Sequence, residues 1–159
     1  MSDSDNQTPQ QQQRGHGPGL RGSRTQGNLE RAFAWDAQTT QLLTYFARIA
    51  RIEGYPDAAR TFSELAESQV QFAHGHMDFL KRVGDPLARQ RVGETHDNLL
   101  ASIANEEQDS TENLVEMAQT AHAEGFPDIA SWFESLADAK QARGARLHTD
   151  LDPSDGSDR

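Results

Sequence analysis

Glu53-Gly54-Tyr55-Pro56-Asp57 and Glu124-Gly125-Phe126-Pro127-Asp128 follow one pattern, 71 residues apart. The first runs on to Phe62, Leu65 and Gln69, the second to Phe133, Leu136 and Lys140 at the same intervals. Glycine tolerates the left-handed backbone that ends a helix, and proline in a first helical turn forfeits no intrahelical hydrogen bond. Each stretch is therefore a tight turn between antiparallel helices. A duplicated hairpin buries equivalent positions in its two halves, so the polar residues at matching heights of the inward stripes are the place to look for chemistry.

Outward from the turns, apolar residues recur at helical spacing and nowhere alternate as in a strand. The pattern predicts helices over residues 28–53, 56–82, 96–123 and 127–149. The stretch Val83 to Thr95, with Gly84, Pro86 and Gly93, reads as the crossover between hairpins, with Thr95 as N-cap of the third helix. The expected fold is an all-α, antiparallel four-helix bundle over residues 28–150. Residues 1–27, rich in Gln and Gly and nearly free of apolar side chains, are expected to form a disordered tail, and residues 151–159 a frayed acidic one. Gln10 to Gln13 read as part of a solvated leader, the alternative being a partner-binding element.

Composition removes several function classes. The 159 residues amount to one domain. Without cysteine there is no disulfide, thiolate metal site or thiol nucleophile. A net charge of −10 argues against sequence-independent nucleic-acid binding, which needs cations against phosphate, while leaving room for a protein partner with a basic surface. No apolar run has the length of a membrane span or forms a secretory signal, so a cytoplasmic protein is expected.

The inward stripes, followed in three- and four-residue steps, carry polar groups among the apolar ones. Helix one places Asp36 inward beside Leu29, Phe33, Leu43 and Ala47; helix two places Gln69 and His76 among Phe62, Leu65, Phe72 and Phe79; helix three places Glu106 with Leu99 and Ile103, and Asp109 at the edge; helix four places Lys140 and Arg143 with Phe133, Leu136 and Leu147. A lone inward histidine is ordinarily hydrogen-bonded core, and a buried ion network ordinarily holds a core together.

From Asn28 to about Asp150 the sequence resembles the ferritin-like domain of the rubrerythrins, through Asn28-Leu29, Ala32-Phe33-Ala34, Thr44-Tyr45-Phe46-Ala47 and the two Glu-Gly-aromatic turns. The resemblance implies a four-helix bundle holding two irons, and a homodimer. It also implies ligand positions: a first-helix Glu falling on Asp36, a Glu-x-x-His on Gln69 and Phe72, a third-helix Glu on Glu106 with its follower on Asp109, and a second Glu-x-x-His on Lys140 and Arg143. The internal repeat by itself selects Glu107 in place of Glu106. A di-iron centre brings a charge of about four or more into a low-dielectric interior and needs carboxylates to balance it. An amide, a phenyl ring, an ammonium and a guanidinium in four ligand positions do not supply that balance. The ordinary site is not expected to form; Lys140 and Arg143 are expected to neutralise Asp36 and Glu106, with Gln69 as a neutral bridge. The four-thiolate iron site that feeds electrons in the family cannot be built from a chain without cysteine.

Three functional readings follow. In the leading one the network at Asp36, Gln69, Glu106, Lys140 and Arg143 replaces iron in a metal-free structural or interaction module. In a second, an oxidoreductase keeps iron or another divalent metal on Asp36, Glu106, Asp109 and His76. A third rests on a resemblance to metal-free ribonucleotide reductase small subunits, which also replace ligand carboxylates with lysine and neutral residues; it implies a modified Tyr45 as the redox group and Lys140 as base or nucleophile.

Overall fold

The computed structural model describes residues 19–151, and every regular element in that range is helical. We number them α1 (Arg24–Ile52), α2 (Pro56–Leu80), α3 (Thr95–Gln108), a five-residue π-helical turn (Asp109–Asn113), α4 (Leu114–Glu124) and α5 (Pro127–Leu151). α1 and α2 form one antiparallel hairpin; α3, the π-turn and α4 together make one long rod that pairs with α5 as the second. The all-α, ferritin-like architecture of two hairpins and a crossover is the one the duplication predicts.

The two turns match in detail. Gly54 and Gly125 take φ of 82° and 85°, and the amides of Tyr55 and Phe126 reach back to the carbonyls of Ala50 and Ala121, each at 2.8 Å. That six-to-one bond satisfies a carbonyl the helix end would leave open. Pro56 and Pro127 open the next helices.

Each hairpin closes on a seam of small residues. Ala47, Ala50, Ala59, Ala66 and Ala73 are buried between α1 and α2; Ala118, Ala121, Ala130 and Gly144 repeat four of those positions in the second hairpin. Small side chains let the helices approach closely, which displaces the bulky ones to the flank of the pair. Phe46, Leu65, Phe72 and Phe79 on the first hairpin, and Met117, Phe126 and Ile129 on the second, are each roughly half exposed.

Two boundaries differ from expectation. α1 begins at Arg24 because Ser23 is its N-cap: its Oγ accepts from the Gln26 amide at 3.1 Å, and the Gln26 side chain accepts from Gly22 N at 2.7 Å. Residues 24–27 thus belong to the helix and not to a tail. The Ser-x-x-Gln spacing is a helix-start signal that the polar composition around it obscured. The rest of the expected tails, residues 1–18 with Gln10 to Gln13 and residues 152–159, lies outside the described residues. Thr95 is the first residue of α3 and not its cap; Glu94 holds the cap position without a side-chain bond, and the Asn98 side chain instead accepts from Gly93 N at 2.8 Å.

The crossover, residues 81–94, is a built structure. Asp85, only 5% exposed, accepts from the amides of Leu87, Ala88 and Gln90 at 2.7–2.9 Å. Arg21 donates to the Val83 carbonyl at 3.0 Å, and Arg89 pairs with Glu30 on α1. These contacts fasten the crossover to the first hairpin and send α3 away from it. Among the described residues, no Cα of α1 or α2 lies within 8 Å of a Cα in α3, the π-turn, α4 or α5. Within one chain the hairpins stand apart.

Candidate functional site

The π-turn settles which glutamate faces inward. α4 keeps the 71-residue register with α1, as Ala118 does with Ala47 and Leu114 with Leu43, but above the turn these inward, buried or half-buried positions are related by 70: Leu99 to Leu29, Ile103 to Phe33, Glu106 to Asp36. A π-turn holds one more residue than the α-turn it replaces and so absorbs the difference. Glu106 is accordingly the partner of Asp36 in height, while Glu107 turns outward to His148, 3.0 Å away and more than half exposed.

On the second hairpin four charged groups converge. Arg143 grips Glu106 with Nη2 at 2.7 and 2.8 Å from the two carboxylate oxygens, and Nε lies 3.3 Å from Oε2. Lys140 Nζ stands 2.8 Å from Asp109 and 3.7 Å from Glu106. Asn113, one helical turn on, donates to the other oxygen of Asp109 at 3.3 Å. The hydrogen bond from Lys140 is the largest influence on Asp109 and, with Asn113 and the field of both cations, holds its carboxyl below the usual range against the opposing effect of burial. Two positive and two negative side chains balance here. Asn113 falls on the inward stripe of the third helix in the sequence, but its part in the site was not read there; the signal for it is the four-residue step from Asp109 along one helical face.

The first hairpin carries a smaller set. Asp36 Oδ2 lies 3.1 Å from His76 Nε2, tying α1 to α2. Gln69 sits on the same flank, and its Oε1 is buried with no hydrogen-bond partner among the described residues, as is Oδ1 of Asn105 on α3. The expected neutralisation of Asp36 by Lys140 or Arg143 is not what one chain shows, because those cations lie on the other hairpin; His76 is the neighbour of Asp36. Nor does Gln69 bridge the cluster, for the same reason.

Tyr45 stands apart from all of this. Two residues from buried Ala47, it points about 200° round the helix, away from α2. It is 51% exposed, meets Phe46 edge-on and carries the Arg48 guanidinium 5.0 Å over its ring. The structure brings together neither Tyr45 with Lys140 nor Asp36 with Glu106 and Asp109. Among the described residues of one chain, no three His, Asp or Glu side chains are placed to hold a metal ion. The carboxylates of the second hairpin already have cations for partners, a donor set that does not fit a pair of metal ions.

The family model described as Rubrerythrin matches residues 27–148. A rubrerythrin of Porphyromonas gingivalis is 34% identical over 122 residues, covering 74% of this chain and 61% of that protein. Rubrerythrins of Nitratidesulfovibrio vulgaris and Clostridium acetobutylicum are 32% and 30% identical over 80% and 81% of this chain and 69% and 70% of theirs. The chain thus spans somewhat under two thirds of the first of these relatives. With the matched region running from the first turn of α1 nearly to the end of α5, the chain belongs to the rubrerythrin family.

Proposed function

We propose that this rubrerythrin-family domain is a metal-free structural or interaction module, cytoplasmic, in which side-chain charges stand where relatives of its fold hold metal. The observation that carries this reading is the bidentate hold of Arg143 on Glu106 beside the Lys140–Asp109 pair. A guanidinium and an ammonium in hydrogen-bond contact with the carboxylates occupy the oxygens a metal would need, and they repel a divalent cation. Such a network confers specificity of packing more than stability, because its attraction largely offsets the cost of removing the charges from water.

Elemental analysis of protein purified without chelator tests this. The expected result is a trace of metal well below one ion per chain; about two irons per chain would overturn the reading. A competing assignment is favoured by the Asp36–His76 pair, a part-buried carboxylate–imidazole contact between α1 and α2. In that assignment a single divalent ion binds there and serves oxidoreductase chemistry. One ion per chain, lost in His76→Ala, would select it.

A further inference from the structure

α1 has one more face, which neither the hairpin seam nor the paired charges use. From Trp35 its residues keep a seven-residue repeat, with Trp35, Leu42 and Ile49 at one core position and Gln38, Tyr45 and Ile52 at the other. At 100° per residue these six lie between about 140° and 240° round the helix from buried Ala47, on the side turned from α2. A solvated helix face is ordinarily polar. Here Trp35, Leu42, Tyr45 and Ile52 are 70%, 55%, 51% and 75% exposed, with Ile49 half-buried between them. The stripe leaves on the order of 400–500 Å² of apolar surface in water, the size at which an exposed patch marks an interaction site.

Shape and charge say what fits there. A seven-residue repeat running about 25 Å along a helix is matched by another α-helix, which presents its own side chains at the same spacing. Ala37, Gln38, Gln41 and Leu42 line an open hollow of about 470 Å³ beside the stripe, into which a side chain of a facing helix can set. Arg24 and Arg31 continue the stripe toward the start of α1, and Arg48 flanks it with its guanidinium over Tyr45. Arg31 bonds the Asn28 side chain, and none of the three arginines meets a carboxylate among the described residues. Of the acids on this side of α1, Glu53 stands at the far end and Glu30 is already held by Arg89. In a protein of net charge −10 this face is therefore locally positive.

We propose that this face of α1 docks an acidic amphipathic α-helix of another protein, with the apolar seam of that helix on Trp35, Leu42 and Ile52 and its carboxylates beside Arg24, Arg31 and Arg48. A second copy of the same face is a poorer occupant, since each side would bring three arginines and one free glutamate to the contact, and like charges set opposite one another oppose association. The proposal goes beyond the function proposed above. The face lies on the first hairpin and the paired charges on the second, so metal content and docking are measured independently and either can fail without the other.

The probe is a dye-labelled synthetic peptide of about four heptads, with leucine at both core positions and glutamate at the positions flanking them, set against a twin with lysine in place of glutamate. Fluorescence anisotropy with the full-length protein is expected to show saturable binding of the acidic peptide and at least about tenfold weaker binding of the basic twin. Leu42→Glu changes an exposed position and leaves the seam with α2 intact. It is expected to weaken the acidic peptide by about tenfold or more, with helicity unchanged. Arg31→Glu combined with Arg48→Glu is expected to invert the preference, so that the lysine twin binds more tightly; should Leu42→Glu lose helicity, this double variant decides alone. No binding of the acidic peptide up to about 200 µM, equal affinity for the two peptides, full binding by a helical Leu42→Glu, or a preference that the double charge reversal does not invert overturns the proposal. So does light scattering in which Leu42→Glu by itself halves the particle mass, because a second copy then covers the face.

Discussion

Asp109 shows how a single residue on this bundle is tuned. Its carboxyl is held below the ordinary value of 3.8 first by the hydrogen bond from Lys140 and then by Asn113, against burial. A carboxyl with a depressed folded pKa adds stability that is present above the unfolded value and lost as pH falls through the folded one. Asp109→Asn is therefore expected to be less stable than the parent at pH 7, and the gap to close as pH drops from 5 through about 3. With a third of the side chain in water, the difference at neutral pH should not exceed about 1 kcal/mol. Urea titrations of both proteins at pH 7, 5 and 3.5 measure it. A gap independent of pH would mean that the carboxylate charge does not matter to the fold. At the same scale, Lys140→Met leaves Glu106 to Arg143 and Asp109 to the neutral Asn113 amide, and is expected to cost about 1–3 kcal/mol by the same titration at pH 7, since a partly buried carboxylate loses its charged donor.

Among the elements, the π-turn is where the sequence was legible only as a contradiction. The helix stripe selected Glu106, the internal repeat selected Glu107, and no choice of pure α-helix satisfies both. The missing information is one residue of extra winding, which leaves no compositional mark, whereas the hairpin turns were legible because glycine and proline at fixed offsets have a direct backbone meaning. The physical difference can be tested by deletion. Removing Glu112 should convert the π-turn to α-helix while leaving Leu99, Ile103 and Glu106 facing α5, so that stability at pH 7 changes by no more than about 1 kcal/mol. Removing Gln41 from the uninterrupted α1 rotates Leu29, Phe33 and Asp36 by about 100° and is expected to cost several kcal/mol. Thermal unfolding of the two deletion variants compares them directly, and equal damage from both would show that Asp109–Asn113 is not a register correction.

For the whole molecule, the pattern of buried positions foretold two helical hairpins and a crossover, and in one chain the two hairpins make no contact with each other among the described residues. A bundle closed within one chain and one closed between two bury the same stripes, so hydrophobic periodicity is blind to the choice. The attachment of the crossover to the first hairpin rests on tertiary contacts, Arg21 to Val83 and Arg89 to Glu30, that no spacing announces. A bundle whose core comes from two chains has a thermodynamic signature that one closed within a chain lacks. When the core of each bundle comes from two chains, folding and association are one reaction, and a tenfold rise in concentration adds about 1.4 kcal/mol per dimer. For a chain of this size that shifts the midpoint by roughly 2–3 °C per decade. Circular dichroism melts between about 1 and 100 µM should then move by about 5 °C in a single transition. A dimer of independently closed bundles would instead dissociate into folded monomers first, and its melting temperature at low concentration would stop depending on how much protein is present.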